Sequence, residues 1–143
     1  MNAMNRNALN AYAQISVDGS VATASPHKLI TMLFDGALLS IATARGHMQR
    51  NEIPAKGAAI SKAIAIIDEG LKLSLDKKAG GDLAEKLDAL YEYMCLRLLF
   101  ANLKNDPQPL DEVASLLNEL KSAWVEIDPE KAKALQISQS APL

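Results

Sequence analysis

The segment SPHKLITMLFDGALLSIATAR, Ser25 to Arg45, is apolar around more of its circumference than a helix on the surface of a small protein can be. At helical spacing Ile30, Phe34, Ala37 and Ile41 form one stripe, while Leu29, Met32, Leu33, Leu38 and Leu39 fill the adjoining arcs. Such a helix must be covered on two sides. The chain therefore has to supply several helices that pack together, or leave a face for something else to cover.

The punctuation of the sequence supplies the helices. Ser25 is placed as an N-cap, with Pro26 at the first helical position, where a missing N–H costs nothing, and this helix is expected to reach about Gln49. Asn51 reads as a left-handed stop with Pro54 shortly beyond. A second helix, to about Leu75, repeats Ile60, Ile64, Ile67 and Leu71 on one stripe and Ala59, Ala63 and Ile66 on the next. DKKAGG closes it, and Asp82 with Glu85 resembles a capping box that opens a third. That third helix carries Leu83, Leu87, Leu90, Met94 and Leu98 on one stripe and Leu96, Leu99, Phe100 and Leu103 off it, a pattern suited to a central position. Asp106 and Pro107 open a fourth, whose stripe of Leu110, Val113, Leu117, Leu120, Trp124 and Ile127 is cleanly amphipathic.

Strand signals are absent and the connections are short, so the expected fold is all-α, an antiparallel up-down four-helix bundle. The segment ALNAYAQISV adds a short N-terminal helix too brief to be stable alone, one that must dock as a lid on surplus apolar surface. The expected division is a lid segment over residues 1–24, a helical bundle over 25–135 that ends in a short helix at Asp128 and Pro129, and a disordered tail over 136–143.

The composition excludes several classes of function. Fifteen Lys and Arg are scattered among seventeen acids, with a net charge of -2, so no basic block is present to hold nucleic acid. Cys95 is the only cysteine, which rules out an internal disulfide, and the chain lacks the ligands for a zinc site; no cofactor is expected. No apolar run approaches the ~20 residues of a membrane span and the N-terminus does not read as a secretory signal, so the expected location is the cytoplasm, without membrane insertion.

Catalysis has little to work with. His27 and His47 fall at opposite ends of one helix, roughly 30 Å apart, and are expected to be solvated. A phosphotransfer bundle would need an exposed helical histidine with room for a docking partner, and His47 sits instead at a helix terminus; this reading, or a generic adaptor, is the alternative. The paired Glu-x-x-His signature of di-iron bundles does not occur. Cys95, in a leucine-rich stretch, reads as a small buried hydrophobe. Gly36, Gly57 and Gly70 inside helices mark close packing or a shallow place for another chain to approach. Tyr91, Tyr93 and Arg97 lie within apolar surface, the residue types that bind well when desolvated and tolerate water when free. Surplus apolar faces, a lid and these residues together point to a groove for a helical or disordered partner.

Five stretches, AYAQISV, SPHKLITMLFDGAL, KGAAISKAIAIIDEGL, GGDLAEKLDALYEYM and LLFANLKNDPQPLDEV, resemble in order and spacing the flagellar secretion chaperones of the FliS family. The resemblance runs from Leu9 to Ile127 and implies a non-enzymatic cytoplasmic chaperone for type III export. Its client would be the disordered C-terminal segment of flagellin, with transient contact to the membrane-embedded export gate and a lid-swapped homodimer left open. By position in the matching stretches, Leu9, Tyr12 and Ile15 are expected to form the detachable lid, and Leu29, Met32, Leu33, Tyr91 and Arg97 to contribute to client grooves.

Overall fold

The computed structural model describes residues 25–127, which form four helices: α1, Pro26–Gln49; α2, Ile53–Ala65, continued as a π-helix over Ile66–Lys72; α3, Lys77–Lys104; and α4, Gln108–Glu126. No strand occurs among the described residues. The expected N-terminal helix, the short helix at Asp128 and the tail lie outside them.

Most boundaries follow the local chemistry anticipated for them. The Ser25 side chain accepts from the Lys28 N–H at 3.1 Å and α1 ends at Gln49. Asn51 and Asn105 take left-handed backbone at φ 58° and 54°, turning the chain after α1 and α3. Asp106 Oδ1 accepts from the Gln108 N–H at the start of α4. One boundary differs. Asp76, not Asp82, caps α3, with Oδ1 accepting from the N–H groups of Lys78 and Ala79; a single turn forms before Gly81, at φ 57° and ψ -136°, interrupts the helix. The capping-box spacing at Asp82, expected to open the helix, lies instead one residue after the Gly81 interruption, inside a helix that begins at Lys77. The π-helical stretch also went unforeseen. It widens the backbone around Gly70, whose carbonyl accepts the Ser74 hydroxyl at 2.6 Å.

Side-chain pairs fix the direction of every neighbour. His27 meets Trp124, Asp35 meets Lys121 and Arg45 meets Asp111, so α1 and α4 run antiparallel. Lys56 reaches Asn102 and Asn105 while Lys72 reaches Asp88, which sets α2 against α3 in the same sense. Arg97 to Gln108 and Glu112 does so for α3 and α4. With α1 and α2 joined by a three-residue turn and packed along their length, the ring α1–α2–α3–α4 closes as an up-down bundle.

Its core takes Ile30, Phe34, Ala37 and Ile41 from α1, Ile60, Ile67 and Leu71 from the second helix, Met94 and Leu98 from α3, and Leu110, Val113 and Leu117 from α4, as the stripes require. By length and mean hydropathy alone α1 could cross a bilayer, with 24 residues and 1.3 over its most apolar window. Its core stripe is instead buried against α2, the π-helical stretch and α4, while Leu39 stays exposed.

Among the described residues one buried side chain is charged. Lys56 is 3% exposed, and its Nζ donates to the Asn102 carbonyl at 3.1 Å and to Asn105 Oδ1 at 3.0 Å. It therefore caps the C-terminus of α3, where the helix dipole favours a cation.

Candidate partner-binding surface

The outer face of α3 departs from the expected central position. Its first stripe sinks into the core at Met94 and Leu98, but Leu96, Leu99, Phe100 and Leu103 are 60%, 52%, 40% and 79% exposed. They recur at i, i+3, i+4 and i+7, so they form one strip along a single face. α3 packs chiefly against its ring neighbours, and among the described residues these four side chains stay exposed. A contiguous strip of large apolar side chains is more than the scattered exposed leucines of an ordinary surface, and such patches mark interaction sites.

A fixed polar edge borders the strip. Arg97 donates to Glu112 Oε1 at 2.8 Å and to Gln108 Oε1 at 3.1 Å, and its guanidinium lies 5.2 Å from the Phe100 ring centroid. The Tyr93 hydroxyl donates to the other Glu112 oxygen. These bonds, from Tyr93 first and Arg97 second, hold the Glu112 carboxyl below its ordinary range. Phe100 is thereby held in place by a neighbour that is itself held, which gives the strip a rigid side.

Among the described residues, two further hollows flank the bundle. Gly36, Leu39, Ser40, Thr43 and His47 of α1 face Ala55, Ala58, Ala59 and Lys62 of α2 across a groove of about 400 Å³. A smaller cleft of about 130 Å³ opens where the start of α1, the start of α3 and the end of α4 converge, among Ile30, Phe34, Leu87, Tyr91, Leu120 and Trp124.

The residues singled out from the sequence are distributed unevenly over these features. Leu9, Tyr12 and Ile15 lie outside the described residues. Leu29 and Met32 are half-buried against the core. Leu33 is fully enclosed, so its side chain supports the bundle from within and cannot meet a partner while the helices stay packed. Tyr91 is also inside, at the floor of the small cleft, and burial pushes its phenol well above the ordinary range. Arg97 stands beside the strip as its polar edge. The strip itself is legible as an apolar spacing; what the spacing does not reveal is that it stays exposed among the described residues.

The histidines correct the expectation of solvated side chains. His27 is half-buried, its ring stacked on Trp124 at a centroid separation of 4.8 Å, with Nε2 2.8 Å from the Trp124 carbonyl and the Trp124 indole donating to the His27 carbonyl at 3.1 Å. It clasps the start of α1 to the end of α4. His47 is half-buried and bonded through Nδ1 to Glu52 at 2.7 Å, with Arg50 on the same carboxylate. Cys95 is partly buried and faces the Ile64 carbonyl; burial, above all, pushes its thiol up to about 12, where it is not a nucleophile at neutral pH. No cluster of His, Cys, Asp and Glu that could hold a metal occurs among the described residues.

Comparison with known proteins agrees with this picture of a binding surface without catalytic chemistry. The family model described as flagellar protein FliS matches residues 8–131. The chain is similar to the flagellar secretion chaperone FliS of Salmonella typhimurium, 51% identical over 122 residues, which cover 85% of this chain and 90% of that protein. It is similar to the flagellar secretion chaperone FliSB of Pseudomonas aeruginosa, 51% identical over 117 residues, 82% of this chain and 92% of that one. The FliS of Bacillus subtilis is 34% identical over 119 residues, 83% and 84% of the two chains.

Proposed function

The chain belongs to the flagellar protein FliS family, and from that premise we propose that it is a cytoplasmic export chaperone for flagellin. It binds the disordered C-terminal segment of flagellin, prevents premature polymerisation and delivers the client to the flagellar type III export apparatus, touching the export gate while loaded. Its relatives are named as chaperones, and the work here is binding, not catalysis.

The observation that carries this reading is the uncovered strip of Leu96, Leu99, Phe100 and Leu103. A disordered segment with apolar residues at helical spacing can fold onto such a strip, burying both faces. Each large side chain removed from water contributes about 1.5–3 kcal/mol, while ordering the client costs several kcal/mol in return, so holding is firm yet reversible. A holder of this kind needs no nucleotide for the binding step.

Leu29 and Met32 contribute to the client surface from α1, Arg97 orients its edge, and Leu33 and Tyr91 act from beneath. Leu9, Tyr12 and Ile15 form the detachable lid, through which a lid-swapped homodimer can also form. Tyr12→Ala is expected to change client affinity or self-association while leaving the melting temperature in place; a large fall in melting temperature would make Tyr12 a core residue instead.

The deciding experiment is calorimetric titration of the full chain with the C-terminal segment of flagellin, beside a segment lacking that terminus. Saturable one-to-one binding with a negative heat-capacity change, lost on truncation, is expected. Absence of binding by the intact segment would overturn the flagellin assignment.

A further inference from the structure

At 3% exposure Lys56, on the first turns of α2, is enclosed by the bundle, yet among the described residues no carboxylate forms an ion pair with it. An ammonium taken out of water without a counter-ion costs free energy, and an apolar side chain of similar length would avoid that cost. What the charge gains in return lies at one place. Nζ donates to the Asn102 carbonyl at 3.1 Å and to Asn105 Oδ1 at 3.0 Å, so both bonds end on the last turn and cap of α3.

That turn has few ties of its own. The N–H groups of Asn105 and Asp106 both go to the Ala101 carbonyl, and the carbonyls that follow it belong to the set a helix leaves without internal partners. Lys56 answers the first of these and also holds the side chain of Asn105, whose backbone makes the left-handed stop at φ 54°. Gly57, the next residue of α2, lies against Asn102, a Cβ built there standing 3.8 Å from the amide oxygen. On the outer side of the same turn Leu103 is 79% exposed, with Leu99 and Phe100 one turn back. The apolar strip therefore ends on the stretch that Lys56 grips from within.

We infer that Lys56 is a positioning residue for the client strip: it anchors the last turn of α3 and so keeps Leu103 in line with Leu99 and Phe100. This rests on the reading of that strip as the flagellin surface. The lysine itself is enclosed and acts through the helix end, where the dipole favours a cation, and through Asn105. A frayed end would present Leu103 in many directions, and a client folding onto the strip would have to order that end before gaining the contact.

The test compares the full chain with Lys56→Met, a near-isosteric side chain without the charge, and Asn105→Gly, which keeps the left-handed turn without the acceptor. Hydrogen exchange is recorded on each free chain, and each is titrated with the C-terminal segment of flagellin by calorimetry. In Lys56→Met the amides of residues 103–106 are expected to exchange about tenfold faster, and flagellin to bind about tenfold more weakly, the equivalent of one charged hydrogen bond. Core amides of α1 and α4 are expected to keep their rates, and the melting temperature to move by about 5 °C or less. Asn105→Gly is expected to show part of the same change and to add little to Lys56→Met, because both break one link. Unchanged exchange over residues 103–106, or unchanged affinity for flagellin, would overturn the inference. So would faster exchange spread evenly over the bundle, which would make Lys56 a general brace. Failure of the unaltered chain to bind flagellin would overturn the reading of the strip instead, and the exchange rates would still decide whether Lys56 anchors the turn.

Discussion

Glu112 shows how a single half-buried side chain can organise a surface. It receives the Tyr93 hydroxyl on one oxygen and Arg97 on the other, and both lower its pKa from an ordinary value of 4.5. A carboxylate whose folded pKa is depressed stabilises the fold above its unfolded pKa, and that contribution disappears as pH falls through the folded value. Asp111 beside Arg45, and Glu52 beside His47 and Arg50, are lowered for the same reason. Stability is therefore expected to decline with acidification from about pH 4.5 downward, and Glu112→Gln to flatten part of that slope in denaturation curves recorded across the range. Because these groups face solvent, the contribution of each is small. The clasp at the other end of α4 is different in kind. Trp124 is 6% exposed, stacks on His27 and donates to its carbonyl, so Trp124→Ala forfeits packing and leaves a cavity. A loss of about 3–5 kcal/mol is expected by chemical denaturation, and Trp124→Phe, which keeps the stack and loses the donor, is expected to lose much less.

Among the elements, the first and last helices were the easiest to read. Ser25 and Pro26, Asn51, and Asp106 with Pro107 act through bonds within a few residues, so their meaning is complete in the sequence. The stripe of α4 was clean because that helix buries one face only. α3 differs from its reading in two ways: its start at Asp76 is separated from its main body by Gly81, and its second stripe stays exposed among the described residues. Apolar spacing records which residues prefer to leave water, not which surface will receive them. The π-helical stretch after Ala65 was illegible for a related reason, because the sequence there keeps ordinary helical spacing and only packing against α1 and α3 distinguishes it. Gly81 permits a clean test at this scale. Its backbone lies at φ 57°, and a Cβ built there meets nothing within 4 Å. Gly81→Ala is thus expected to lose about 1–3 kcal/mol through backbone strain alone, visible as a lower melting temperature with no change in the packed core.

At the scale of the bundle, the apolar core closes on itself and large apolar side chains still remain outside. Twelve core residues named above come from all four helical segments and close around one another, so Leu96, Leu99, Phe100 and Leu103 are not needed to hold them together. Under the proposed function these exposed residues are the binding strip, and the family to which the chain belongs is one of flagellar secretion chaperones. Fold and function therefore separate along a line that mutation can follow. Leu99→Glu and Leu103→Glu change exposed positions away from the core, where substitutions typically alter stability by about 0.5 kcal/mol or less. The same changes place two carboxylates in the middle of the strip. If flagellin folds onto it, each lost leucine contact removes about 1.5–3 kcal/mol, so the double variant is expected to bind the C-terminal segment at least a hundredfold more weakly in calorimetry while melting at nearly the same temperature. A variant that melts normally and binds normally would move the client to another face of the bundle.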